Sequence, residues 1–185
     1  MSAATGRSRP ERQIALLRGI NVGRAKRVSM TDLKALFEEL GYRDVTTLLQ
    51  SGNVVFSGRV GASTAARLEK AMVERLGVSS RFTLLSASEL VQAIKENPIE
   101  HLATNPSRHM IAILSDPADR KRLTPLSRED WSPEAFALGK RVAYFWCPEG
   151  ILESRVAKAL DRSLGDRVTT RNWTTLNKLS ELASK

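Results

Sequence analysis

Short apolar runs alternate along this chain with stretches of helical spacing. Arg12 to Leu17 ends in four consecutive apolar residues and reads as a buried strand. Ser29 to Leu40 places Met30, Leu33, Leu36, Phe37 and Leu40 on one helical face, with Ser29 and Asp32 set for a capping box and Gly41 as the stop. Val45 to Leu49 and Val54 to Phe56 flank Gln50-Ser51-Gly52-Asn53, the pattern of a β-hairpin. A helix from Thr64 to Leu76 stops at Gly77. A strand, Arg81 to Leu85, and a helix, Ser88 to Glu96, follow and end before Pro98.

The turn-rich stretch from Asn97-Pro98 to Asn105-Pro106 marks a boundary, after which the order starts again. His109 to Leu114 reads as a strand and Pro117 to Leu123 as a short helix opened by proline. Glu134 to Leu138 and Arg141 to Trp146 form a hairpin around Gly139-Lys140. Ile151 to Leu164 is a helix, Val168 to Thr170 a short strand and Trp173 to Leu182 a last helix. The expected fold is therefore α+β: two tandem ferredoxin-like (α-β plait) halves, 11–100 and 106–185, each βαββαβ plus an extra helix, with antiparallel sheets. The halves share an order of elements, not a sequence. Right-handed crossovers make the first and second strands of each half parallel. The loop after Leu17 should then lie beside the Ser51–Asn53 turn, about thirty residues away in sequence.

Composition narrows the class. A chain of 185 residues, 42% hydrophobic and 26% charged, has globular values and can form one domain or two small ones. Its apolar runs are far shorter than the roughly 20 residues a membrane helix needs, and residues 1–10 lack the apolar core of a secretory signal. These features point to a cytoplasmic protein with a disordered basic tail over residues 1–10 and no membrane partner. One cysteine, Cys147, and two histidines are too few for a common zinc set, so neither a metal nor a cofactor is expected. The charge of +9 is uneven: residues 1–30 hold seven Lys or Arg against one acid. An anion-attracting face is one reading, and a solubilising tail with a solvated loop is the other.

Three segments stand out: Arg18-Gly19-Ile20-Asn21-Val22-Gly23 after the first strand, Gln50-Ser51-Gly52-Asn53 at the hairpin, and Thr169-Thr170-Arg171-Asn172-Trp173 before the last helix. With them the chain resembles the domain of unknown function 1697 family, over nearly its whole length. The resemblance implies paired ferredoxin-like halves and brings no reaction, cofactor or catalytic residue. It points to Arg18, Gly19, Asn21, Gly23, Ser51, Asn53, Arg171, Asn172 and Trp173 as ligand-binding candidates.

Each segment has two physical readings. The first, followed by Arg24, Lys26, Arg27 and a capped helix, could cradle an anion, or it is a βα loop with glycines at φ > 0. It matches neither the Walker nor the dinucleotide fingerprint. Ser51 and Asn53 suit a turn with left-handed Gly52 as well as a ligand contact. Asn172 can cap the last helix while Trp173 packs beside Leu176 and Leu179. Alternatively, Arg171 is a bidentate anion donor and Trp173 a stacking surface. Ser51 has no histidine near it in sequence, Cys147 reads as a packed thiol, and no acid/base pair is defensible. Whether the chain is an enzyme stays open.

Three function classes remain. The first is a cleft for a small anionic or nucleotide-like ligand formed by the three segments, which should border one site only if the halves pack with opposed orientations. The second is nucleic-acid binding through the basic N-terminal region, although strands one and three lack the paired aromatics that stack bases. The third is an interaction or oligomerisation module without catalysis, its oligomeric state open.

Overall fold

The first strand is buried along its apolar run because both of its faces are covered. The computed structural model describes residues 11–22 and 27–185; the anticipated tail, and Gly23, Arg24 and Lys26, lie outside the described residues. In order, the elements are β1 (Arg12–Leu17), α1 (Met30–Glu39), β2 (Arg43–Leu48), β3 (Asn53–Ser57), α2 (Thr64–Leu76), β4 (Phe82–Ser86) and α3 (Ala87–Lys95). There follow β5 (His109–Leu114), α4 (Arg120–Leu123), β6 (Ala135–Leu138), β7 (Val142–Trp146), α5 (Arg155–Leu164), β8 (Val168–Asn172) and α6 (Trp173–Ala183). They build a mixed α/β protein with two four-stranded antiparallel sheets, ordered β2-β3-β1-β4 and β6-β7-β5-β8.

Caps set the helix ends. Ser29 accepts from the Asp32 amide and starts α1, and a full capping box of Ser86 and Glu89 starts α3 at Ala87, one residue before the expected Ser88. The expected helix from Ile151 begins instead at Arg155. Ser154 caps it there, and the Glu134 carboxylate takes the Arg155 amide at 2.7 Å. Residues 117–123, expected as one helix, divide into a 3₁₀ turn at Pro117–Asp119 and the single turn of α4. β8 runs two residues past the expected Thr170 because Arg171 and Asn172 pair with Ile111 and Met110 of β5.

Three apolar clusters hold these layers. Ala15, Leu17, Val54 and Phe56 pack under α1 and α2 with Leu33, Phe37, Leu68 and Met72. Ala112, Leu114, Ala143 and Phe145 pack under α5 with Val156 and Leu160. The third cluster is common to both halves: Ile14, Leu16, Val55 and Leu85 of the first sheet meet Ile111, Ile113, Val142 and Tyr144 of the second, with Leu90 of α3 and Leu176 and Leu179 of α6. The alternate residues of β1 therefore serve two cores, which explains an unbroken apolar run in an antiparallel strand. Helix α6 follows β8 yet packs on β1 and β3 of the first sheet, and it also meets α3.

Candidate functional site

Asn21 organises the loop after β1. Its Nδ2 donates to Gln50 O at 2.7 Å and Val28 O at 2.9 Å, and its Oδ1 accepts from the Val28 amide at 2.9 Å. These bonds close the loop ahead of α1 and tie it to the β2–β3 hairpin. Gly19 (φ 65°) and Asn21 (φ 55°) both take left-handed backbone. The hairpin comes close: the Leu17 amide donates to Gly52 O at 2.8 Å. Gly52 has φ 77°, and a Cβ there would stand 2.7 Å from Leu17 Cβ and 2.8 Å from Ile20 Cδ1. Only glycine fits that turn.

Arg171 enters this junction from β8. Its Nε donates to Asn53 Oδ1 at 2.6 Å, and Nη2 donates to Leu17 O at 2.7 Å, Ser51 O at 3.1 Å and Gly52 O at 3.3 Å. Nη1 donates to Thr169 Oγ1 at 3.0 Å and Thr170 O at 2.9 Å. Asn53 is fully buried, and its Nδ2 donates to Leu48 O and Ser51 Oγ. Burial pushes the Arg171 guanidinium down to about 10, so it is cationic at neutral pH, and among the described residues it has no carboxylate partner. Carbonyl dipoles hold the charge instead. The side chain is a plug between the halves, 9% exposed.

Asn172 caps α6, its Oδ1 accepting from the Thr175 amide at 2.9 Å and the Thr175 hydroxyl at 2.8 Å. The Trp173 ring is buried and stacks on His109 with centroids 4.4 Å apart and planes 8° apart. Burial lowers the His109 pKa, and Asn97 Nδ2 lies 3.2 Å from its Nε2. The structure thus brings Asn21, Ser51, Asn53 and Arg171 to one junction. Asn172 and Trp173 turn away toward α6 and the shared core.

Arg18 and Gly19 face outward. Arg18 reaches across to the second half, with Nη1 donating to Val168 O at 2.5 Å and Nη2 to Asp161 at 2.7 Å. A cavity of about 340 Å³ along β8 is lined by Arg18, Gly19, Ile151, Asp161, Thr170 and Arg171, among others. A second of about 260 Å³ is lined by Arg18, Gly19, Ser79, Ser80, Arg81 and Asp166. Gly19 belongs to both, with open space where a Cβ would stand. Sequence reasoning missed Ser79, Ser80 and Arg81, although the strand order that sets β4 beside β1 signals them: the Arg18 amide donates to Arg81 O, and Ser80 Oγ donates to Arg18 O. Asp161 and Asp166 come from the second half and carry no local signal.

A family model described as a protein of unknown function (DUF1697) matches residues 11–144. The chain belongs to that family. The matched segment holds the loop after β1 and the hairpin but stops short of Arg171–Trp173, so the family likeness covers less of the chain than the three segments implied. No curated protein matches the chain. Among solved structures, it is similar to the conserved bacterial protein SP0830 from Streptococcus pneumoniae, at 20% identity and a TM-score of 0.74, over 94% of this chain and 98% of that one. That likeness speaks for the fold. No function is assigned to the family.

Proposed function

We propose that the chain binds a small anionic ligand at the seam between its halves, at Arg18 and Gly19, and that Arg171 and Asn53 form the junction behind that site and do not touch the ligand. The observation that carries this reading is the meeting of two cavities on Arg18-Gly19. Three guanidiniums, of Arg18, Arg81 and Arg171, stand there against the carboxylates of Asp161 and Asp166. Among the described residues, Nε of Arg18 and Nη2 of Arg81 have no acceptor, and Ser79 and Ser80 line the same wall. Arg171 lines the cavity along β8, but each of its guanidinium nitrogens already donates to protein acceptors, so it adds charge without offering the ligand a free donor. A phosphate or carboxylate group suits such a lining.

The same reading takes the fold as a duplicated plait. Equivalent bonds recur in both halves: Leu17 N to Gly52 O and Leu114 N to Arg141 O, Arg18 N to Arg81 O and Ser115 N to Arg167 O. Ser86 and Asn172 each end a fourth strand by capping the next helix. Nucleic-acid binding on a sheet, as in RNA-recognition modules, needs an open sheet face, and apolar clusters cover both faces of β1 and β5. Inorganic phosphate and a nucleoside monophosphate are the first probes, by calorimetry. Binding that disappears in Arg18→Ala/Arg81→Ala with the fold retained supports the site; equal binding by that variant, or none by the parent, overturns it.

A further inference from the structure

The outer edge of β4 is blocked at nearly every position by a side chain, and the one gap left has the form of a single amino acid. β4 pairs with β1 through Arg81, Thr83 and Leu85, so the amides and carbonyls of Phe82, Leu84 and Ser86 point outward. The Phe82 amide donates to Glu69 Oε1 at 3.0 Å, Leu84 O accepts from Arg141 Nη2 at 2.5 Å, and the Ser86 amide donates to Glu89 Oε2 at 2.7 Å. Between these plugs, Phe82 C=O and the Leu84 N–H take no partner from the described residues. Both residues line a groove of about 480 Å³, walled by Ala65 and Ala66 of α2 on one side and by Ser115, Arg141 and Arg167 on the other.

We propose that this groove binds a free α-amino acid with an apolar side chain. In a parallel ladder, a residue bridging Thr83 donates its N–H to Phe82 O and accepts at its C=O from Leu84 N. That is the open pair. The plugs also sort the charges: the Glu69 carboxylate, paired with Arg81, flanks the ammonium end, and the Arg141 guanidinium, paired with Glu89, flanks the carboxylate end. A longer peptide strand is excluded at both ends because Glu69 and Arg141 already occupy the next edge groups. The groove as a whole is balanced, with Arg81, Arg141 and Arg167 against Glu69, Glu89 and Asp166, which favours a zwitterion over an anion.

The side chain of the bound residue has a place as well. It stands on Thr83's face of the sheet, which is also the face of Leu85. There Leu85, Glu89 and Arg141 form a wall common to the groove and to a second cavity of about 280 Å³, lined further by Ala93, Ile113 and Val142 and by Gln92, Glu96 and Lys140. That chamber is mainly apolar and suits a branched aliphatic group. The groove shares Arg81 and Asp166 with the Arg18-Gly19 seam, but Arg18 and Gly19 line neither of its two cavities.

The test titrates L-leucine into the ¹⁵N-labelled full chain and follows amide shifts, with D-leucine, N-acetyl-L-leucine, L-leucinamide and tri-leucine as comparisons. Saturable shifts of the Thr83 and Leu84 amides are expected at micromolar to millimolar L-leucine, weakened about tenfold or more by blocking either end of the zwitterion. Glu69→Gln and Arg141→Gln should each cost a similar factor, and Ala93→Leu, which fills the chamber, should cost leucine affinity but spare glycine. Circular dichroism confirms that each variant is folded. No shift at Leu84 with millimolar L-leucine, equal binding of tri-leucine or N-acetyl-L-leucine, or full leucine affinity in folded Ala93→Leu would each overturn the proposal.

Discussion

Replacing Arg171 with methionine keeps most of the side chain's length and removes its donors. Across the seam the perturbation leaves Asn53 Oδ1, Leu17 O and Ser51 O without that guanidinium, while Gly52 O keeps the Leu17 amide; within β8, Thr169 Oγ1 and Thr170 O lose it too. Hydrogen bonds from a charged donor contribute about 1.5–3 kcal/mol each, and an acceptor left dry costs about 1–3 kcal/mol. Three such acceptors would give a loss near the top of the range, but methionine also avoids the desolvation that pushes the guanidinium down to about 10. We therefore expect a net loss of about 3–4 kcal/mol, which is roughly 6–16 °C in melting temperature for a chain of this size. Urea unfolding by tryptophan fluorescence and circular dichroism is the assay. Trp131, Trp146 and Trp173 are buried or half-buried, so their fluorescence follows the loss of the fold as a whole. Arg171→Lys should recover only part of the loss, because an ammonium cannot fork between Asn53 and Leu17. A change below about 1 kcal/mol for Arg171→Met would refute the idea that this side chain locks the halves together.

His109 gives a pH signature. Its folded pKa is lowered by burial, so the unfolded chain takes up protons first; stability is full above about pH 6.5 and falls as pH drops below that value. His109→Gln should flatten the dependence of the urea midpoint between about pH 7 and 5, and an unchanged slope would contradict the assignment. Gly52→Ala should destabilise by about 2 kcal/mol or more, since its Cβ would stand 2.7 Å from Leu17 Cβ on left-handed backbone, whereas Gly19→Ala, in open space, should cost about 1 kcal/mol. The reversed order in chemical denaturation would count against the packing at the hairpin. Burial pushes the Cys147 thiol up to about 11, and its Sγ donates to Arg108 O. A disulfide reagent should react with it only as the chain unfolds; rapid labelling of the native protein at neutral pH would show otherwise.

Much of the fold was legible locally. The apolar spacing of Met30–Leu40, the Ser29 and Asn172 caps and the turn at Gly52 each name an element whose determinants lie within a few residues. The order of elements placed the loop after β1 beside the hairpin, where Leu17 N meets Gly52 O. Legibility failed where the partner is distant. Nothing near Ile151 tells that Glu134 will hold the first turn of α5, so the helix was expected to start too early. The candidate residues came from three motifs, and those among the described residues serve three different places. Arg18 and Gly19 open to the seam, Asn53 and Arg171 bond to each other, and Trp173 stacks on His109.

By itself the sequence determined the elements, their order and the residue types at turns and caps, because backbone sterics, capping and amphipathic spacing act over one or two turns of chain. Only the tertiary structure decided what the polar residues do. An arginine ahead of a helix reads equally as an anion ligand or as a plug. It became a plug when α6 packed on β1 and β3 and brought Arg171 against four acceptors of the other half, since a buried guanidinium must satisfy its donors wherever packing places it.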